Sequence, residues 1–185
     1  MDWFAVADEA TPALRRGDLD TCRAIVTAAL EKMPRTPYHL VMDVEFTNPP
    51  LEVARYCDAF SESARKELDV KAIYGEMNGF YINPDLWYFE LFAFDNYGGH
   101  EDYDWLSDWD HITQDSLVLT GMEALQQVYA TVPMDSNPAK SAEGLASLLV
   151  VVKFQQLVQR AIPLMKQKNV PILATAHEFD FIFEG

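Results

Sequence analysis

Residues 100–111 read HEDYDWLSDWDH, with five carboxylates, two tryptophans and a histidine at each end, and no lysine or arginine. Carboxylate oxygens suit hard cations, so Asp102, Asp104, Asp108 and Asp110 first suggest a calcium loop. Their spacing argues otherwise. Leu106 stands where a third oxygen ligand belongs, the required glycine is missing, and no glutamate fills the twelfth position. His100 and His111 are eleven residues apart. Neither an HExxH motif nor a Cys/His set accompanies them, so no metal or cofactor is expected.

The tryptophans are more informative. In an extended chain Asp102, Asp104, Leu106, Asp108 and Asp110 share one side, and Tyr103, Trp105, Ser107, Trp109 and His111 share the other. In a helical turn Trp105 and Trp109, four apart, again share a face. Either way the two rings lie together. They are expected as core anchors that leave the carboxylates on display, or as an exposed aromatic platform for a partner.

This stretch is the densest part of a longer interval. No Lys or Arg occurs between Lys71 and Lys140, and the interval holds twelve acidic residues and 13 of the 23 aromatics. It carries most of the chain's formal charge of −15. Such a chain repels nucleic acid and anionic membranes. Its aromatic content marks folded material rather than an acidic tail.

At 185 residues, 49% hydrophobic, the chain is expected to form a single globular domain. MDWFAVADEA lacks the basic start of a signal peptide. The apolar run LASLLVVV falls well short of the roughly 20 residues that span a bilayer. Cys22 and Cys57 form no CxxC and are expected as buried free thiols in a reducing compartment, so a cytoplasmic location is expected.

The elements that position these residues follow from periodicity. Residues 18–33 place Leu19, Cys22, Val26, Ala29, Leu30 and Met33 at helical spacing, with Asp18 as N-cap. Residues 38–46 alternate and predict a strand, with His39, Val41, Asp43 and Glu45 on its more polar face. After TNPP, Val53, Cys57, Phe60, Ala64 and Leu68 predict a helix. A second strand follows near 70–77, and the strand–helix–strand unit suggests a parallel crossover. Asn78-Gly79 and Asn83-Pro84-Asp85 are turn signals.

LWYFELFAFD, residues 86–95, predicts a central strand buried on both faces, with Glu90 its one interior charge. SLVLT suggests another strand and GMEALQQVYATV a short helix. A turn-rich connection, PMDSNPAKSAEG, leads to a long buried helix over about 141–162 that ends at Pro163. VPILATAHEFDFIFEG predicts one terminal strand. The fold class is therefore α+β: one mixed sheet with helices mainly on one face, and a long buried C-terminal helix before the last strand.

If helices cover one sheet face, the other becomes an acidic, aromatic surface bearing His39, Asp43, Glu45, Glu76, Tyr88, Glu90, Glu178 and Asp180. A buried Glu90 must be neutral, hydrogen-bonded or paired. No nucleophilic motif such as GxSxG or SxxK is present, and no catalytic residue is assigned. The expected binding residues are Asp43, Glu45, Glu90, Asp102, Asp104, Trp105, Asp108, Trp109, Asp110 and Asp180. The function expected is a non-enzymatic interaction protein whose acidic surface meets a basic partner, for example to neutralise a basic protein. Two alternatives are an enzyme that binds a ligand or divalent metal through its carboxylates, and a structural homodimer subunit.

Overall fold

The computed structural model describes residues 2–133, 137–167 and 169–185. Two helices open the chain, α1 (Trp3–Leu14) and α2 (Leu19–Glu31). Asp18 caps α2 as predicted, its carboxylate accepting from the Thr21 amide at 3.1 Å. The apolar stripe of α2 and that of α3 (Pro50–Ala64) are both buried. Cys22 and Cys57 sit in those stripes as free thiols.

The sheet is mixed, and its main path runs in order through His111–Ile112, Tyr88–Phe94, Ala72–Asn78, Ile172–Ala176 and Phe183–Glu184. Strands β1 (Ala72–Asn78) and β2 (Tyr88–Phe94) form an antiparallel ladder. The short β3 (His111–Ile112) and β4 (Leu117–Val118) both pair with β2. On the other side β5 (Ile172–Ala176) runs parallel to β1, and β6 (Phe183–Glu184) returns antiparallel to β5. Helix α4 (Glu123–Thr131) precedes α5 (Asn137–Ala161), which crosses the centre of the protein. The turn-rich connection between them includes Met134–Ser136, which lie outside the described residues.

By length and composition the helical segment Asn137–Leu164 is apolar enough to cross a membrane, yet 78% of its most apolar window is buried inside the protein. Its apolar side chains join Ile73, Met77, Phe89, Leu91, Ala93, Ile172 and Ala174 in the main core. The helices gather on that face of the sheet. A smaller cluster of Ala72, Tyr74, Phe94, Leu173 and Ile182 occupies the opposite face.

Three predicted elements are corrected. Residues 38–46 are not a strand. Pro37–Met42 is a 3-10 helix, and the chain then runs as a loop. Three side-chain arrangements hold this irregular path. His39 donates through Nε2 to the Leu30 carbonyl at the end of α2, 3.0 Å away. Its Nδ1 accepts from the Thr36 amide at 3.1 Å. Most tellingly, the Lys153 ammonium of α5 donates to the carbonyls of Val41 and Val44 and to Glu45. A buried carbonyl must be paired, and a distant lysine satisfies here what a sheet ladder would otherwise satisfy. The expected parallel crossover over 38–77 goes with the strand. The parallel pair is β1 with β5.

The second correction concerns β2. Its side chains alternate, with Phe89, Leu91 and Ala93 buried and Tyr88, Glu90 and Phe92 half-buried. Glu90 is therefore not a core charge. The third is the C-terminal segment, which is two strands joined by a fold-back. Its aromatic alternation survives without continuous pairing, because Thr175 and Gln155 donate to the Phe181 carbonyl at 2.9 and 2.6 Å.

Candidate functional site: an acidic sheet face

The β1–β2 ladder is centred on the Asn83 turn, and its register places Glu76 opposite Glu90. Directly opposed residues on an antiparallel pair project to the same face. That face is the one turned away from α5, because Ile73, Met77, Phe89 and Leu91 point into the helical core.

Neighbours orient each carboxylate. The Tyr74 hydroxyl donates to Glu76 Oε2 at 3.0 Å, and His177 Nδ1 lies 3.0 Å from Glu76 Oε1. Ser116 donates to Glu90 Oε1 at 3.1 Å. Burial raises the Tyr74 phenol pKa, and the charges of Glu76 and Asp180 raise it further. Tyr74 therefore stays protonated and remains a donor.

The acidic stretch covers the adjoining half of the face. Tyr103, Trp105 and Leu106 pack onto the smaller cluster around Tyr74 and Phe94. Trp105 meets Phe94 edge-on with ring centroids 4.9 Å apart, and its indole nitrogen donates to the Gly99 carbonyl at 3.0 Å. Gly98 lies directly against this ring: a Cβ there would stand 2.4 Å from Trp105 Cδ1. Trp109 lies against Phe92 at 5.8 Å but remains 47% exposed. The two tryptophans thus contact neighbouring same-face phenylalanines of β2. One is an anchor and the other is available to a partner.

Asp102, Asp104, Asp108 and Asp110 are all exposed. Two of them also hold the loop, Asp102 accepting from the Asp104 amide and Asp110 from the Asp95 amide, both at 2.9 Å. Among the described residues no group of three or more His, Cys, Asp and Glu side chains is placed to hold a metal ion.

Asp43 and Glu45 do not belong to this site. Their loop is held by Lys153, whereas Gln155, two residues along α5, faces β5. Residues two apart on a helix point to nearly opposite sides, so Asp43 and Glu45 lie across α5 from the sheet. Burial raises the Glu45 pKa, but hydrogen bonds and charge from Arg23 and Lys153 outweigh it and leave the carboxyl below 4.5. Its ion pairs are with Lys153 at 3.0 Å and with Arg23. Glu45 fixes the loop and is not free for a partner.

No family model, curated protein or solved structure matches this chain.

The structure thus unites Glu76 and Glu90 on the sheet with the aspartates and Trp109 of the loop beside it, whereas Asp180 lies in the segment between β5 and β6 and lines a pocket with Trp3 and Phe4 of α1. Sequence reasoning placed Glu76 on this face without including it among the binding residues, and it gave Tyr74, Ser116 and His177 no role there. The single terminal strand predicted over VPILATAHEFDFIFEG would have carried His177, but β5 ends at Ala176 and His177 turns toward Glu76. A signal was available: a hairpin centred on Asn83 sets Glu76 opposite Glu90.

Proposed function

We propose that this protein is an acidic interaction protein whose open sheet face receives a cationic side chain of a basic partner. The observation that carries this reading is the opposed pair Glu76 and Glu90. Like charges directly across a ladder are unfavourable in the free protein, and a guanidinium or ammonium between them turns that repulsion into attraction. Trp109 and Tyr88 beside them supply ring faces suited to an arginine. The exposed aspartates at residues 102–110 would speed encounter at low salt. Neutralising a basic protein is a role consistent with this surface.

The test is affinity capture at low ionic strength, identification of the captured protein, and measurement of its Kd against wild type and Glu76→Gln/Glu90→Gln. Specific capture of one basic protein, weakened at least tenfold by the double substitution and by salt, supports the proposal. Capture that ignores the substitution, or none at any salt concentration, refutes it.

A further inference from the structure

Helix α5 carries a second, separate feature at the carboxyl ends of the two parallel strands. There the chain leaves β1 through residues 79–82 and leaves β5 through 177–179. A cleft of about 250 Å³ opens between these two turns, α1 and α5.

Its lining is chemically distinct from the sheet face. Trp3, Phe80, Tyr81 and Phe179 supply aromatic walls, with Phe179 lying 5.3 Å from Trp3 and 5.8 Å from Phe80 by ring centroid. Glu143 supplies a partly buried carboxylate. Two hydroxyls feed it in series: Ser147 donates to Glu143 Oε1 at 2.8 Å, and the Tyr129 hydroxyl is 2.7 Å from the Ser147 oxygen. No Lys or Arg lines the cleft, and among the described residues none forms an ion pair with Glu143. Burial shifts its carboxyl pKa upward, as expected of a desolvated carboxylate without a counter-ion.

Backbone strain marks the same place. Among the described residues the only non-glycine positions with positive φ are Phe80 at 57° and Glu178 at 65°, and both line this cleft. Side-chain-bearing residues held in that region cluster at ligand sites, because surrounding structure must enforce them. Here the strain turns the Phe80 ring to face Phe179 and Trp87. Gly144 shows that the wall is closely fitted: a Cβ there would stand 2.5 Å from Trp3 Cδ1.

His177 and Glu178 complete the rim, His177 with its Nδ1 on Glu76, and an aromatic box with a desolvated carboxylate and neither Lys nor Arg is complementary to an organic cation. We propose that the cleft between Phe80, Phe179 and Glu143 is a binding site for a small alkylammonium group, whose N–H donates to Glu143 while its alkyl chain lies against the aromatic walls. The site adjoins the Glu76–Glu90 face through His177, which lines the cleft and contacts Glu76, but its proposed ligand group is Glu143, so it is tested independently of that face.

The test uses ¹⁵N-labelled full-length protein titrated with n-butylammonium chloride, sodium butyrate and 1-butanol. The expected result is saturable shifts of the Phe80, Glu143, Ser147 and Phe179 amides with butylammonium alone. Glu143→Gln, which keeps the side-chain shape, should weaken binding by roughly tenfold or more, since a hydrogen bond to a charged group is lost. A thermal melt of that variant checks that it remains folded. Nα-acetyl-lysine amide presents the same ammonium on a peptide. Binding tighter than butylammonium would identify a protein side chain as the source of the group, and equal or weaker binding a free amine. Equal binding of butanol, unchanged affinity in Glu143→Gln, or butylammonium shifts confined to Glu76 and Glu90 would overturn the proposal.

Discussion

Glu76 and Glu90 are direct register partners across the β1–β2 ladder, one held by Tyr74 and His177 and the other by Ser116. The surrounding donors fix both carboxylates in place without removing the repulsion between them. Glu90→Gln is therefore expected to stabilise the isolated protein by about 0.2–1 kcal/mol, since it removes a like-charge cross-strand pair. Chemical denaturation in low salt measures this, and the gain should shrink as salt screens the pair. A clear loss of stability would show that the pair is not repulsive.

Lys153 illustrates the opposite arrangement, a buried cation that organises a loop. It is only 1% exposed and donates to two backbone carbonyls and Glu45. Lys153→Met should cost about 2–4 kcal/mol, because it leaves the Val41 and Val44 carbonyls without their donor and leaves Glu45 with Arg23 alone. Urea denaturation gives the magnitude. Hydrogen exchange should rise first in residues 37–46.

The same contact sets a pH dependence. Despite burial, hydrogen bonds and charge from Arg23 and Lys153 hold the Glu45 carboxyl below its ordinary pKa in the folded protein, so between its folded and unfolded pKa values the unfolded chain binds more protons. Stability contributed by Glu45 is then fully present above about pH 4.5 and is lost as pH falls through the folded pKa. Glu45→Gln should flatten this part of the stability–pH curve, measured by denaturation from pH 6 down to about pH 3.

Gly98 tests how the acidic stretch is anchored. A Cβ at this position would meet the Trp105 ring at 2.4 Å. Gly98→Ala should displace Trp105 from Phe94 at a cost of about 1–3 kcal/mol, the usual range for overpacking. Near-ultraviolet circular dichroism and exchange at residues 99–110 report the release.

These residues also show what the sequence discloses. The helices were legible because burial and capping are local: the stripe of α2 and its Asp18 cap lie within a few residues of each other. The segment 38–46 was not, because the lysine that replaces its ladder partner lies more than a hundred residues away. Alternation there records one buried side without saying what covers it. Glu90 was misplaced for a related reason. Aromatic residues on both faces of β2 imply two covered faces, yet the second is covered only along part of its length, by Tyr103, Trp105 and Leu106. Spacing put Trp105 and Trp109 on a shared side but carried no information on depth, which the edge of that small cluster decides. Of the expected binding residues, Glu90 and the loop residues fall near one face, Asp180 lines a pocket with Trp3 and Phe4 of α1, and Asp43 and Glu45 lie on the far side of α5.

The most direct test of the acidic face is a titration of ¹⁵N-labelled protein with a tetra-arginine peptide at low salt, repeated on Glu76→Gln/Glu90→Gln. The proposed function requires saturable shifts centred on Glu76, Glu90 and the Trp109 indole, weakened by salt and lost in the double variant. Shifts spread evenly over all exposed carboxylates, or unchanged in the variant, would contradict it.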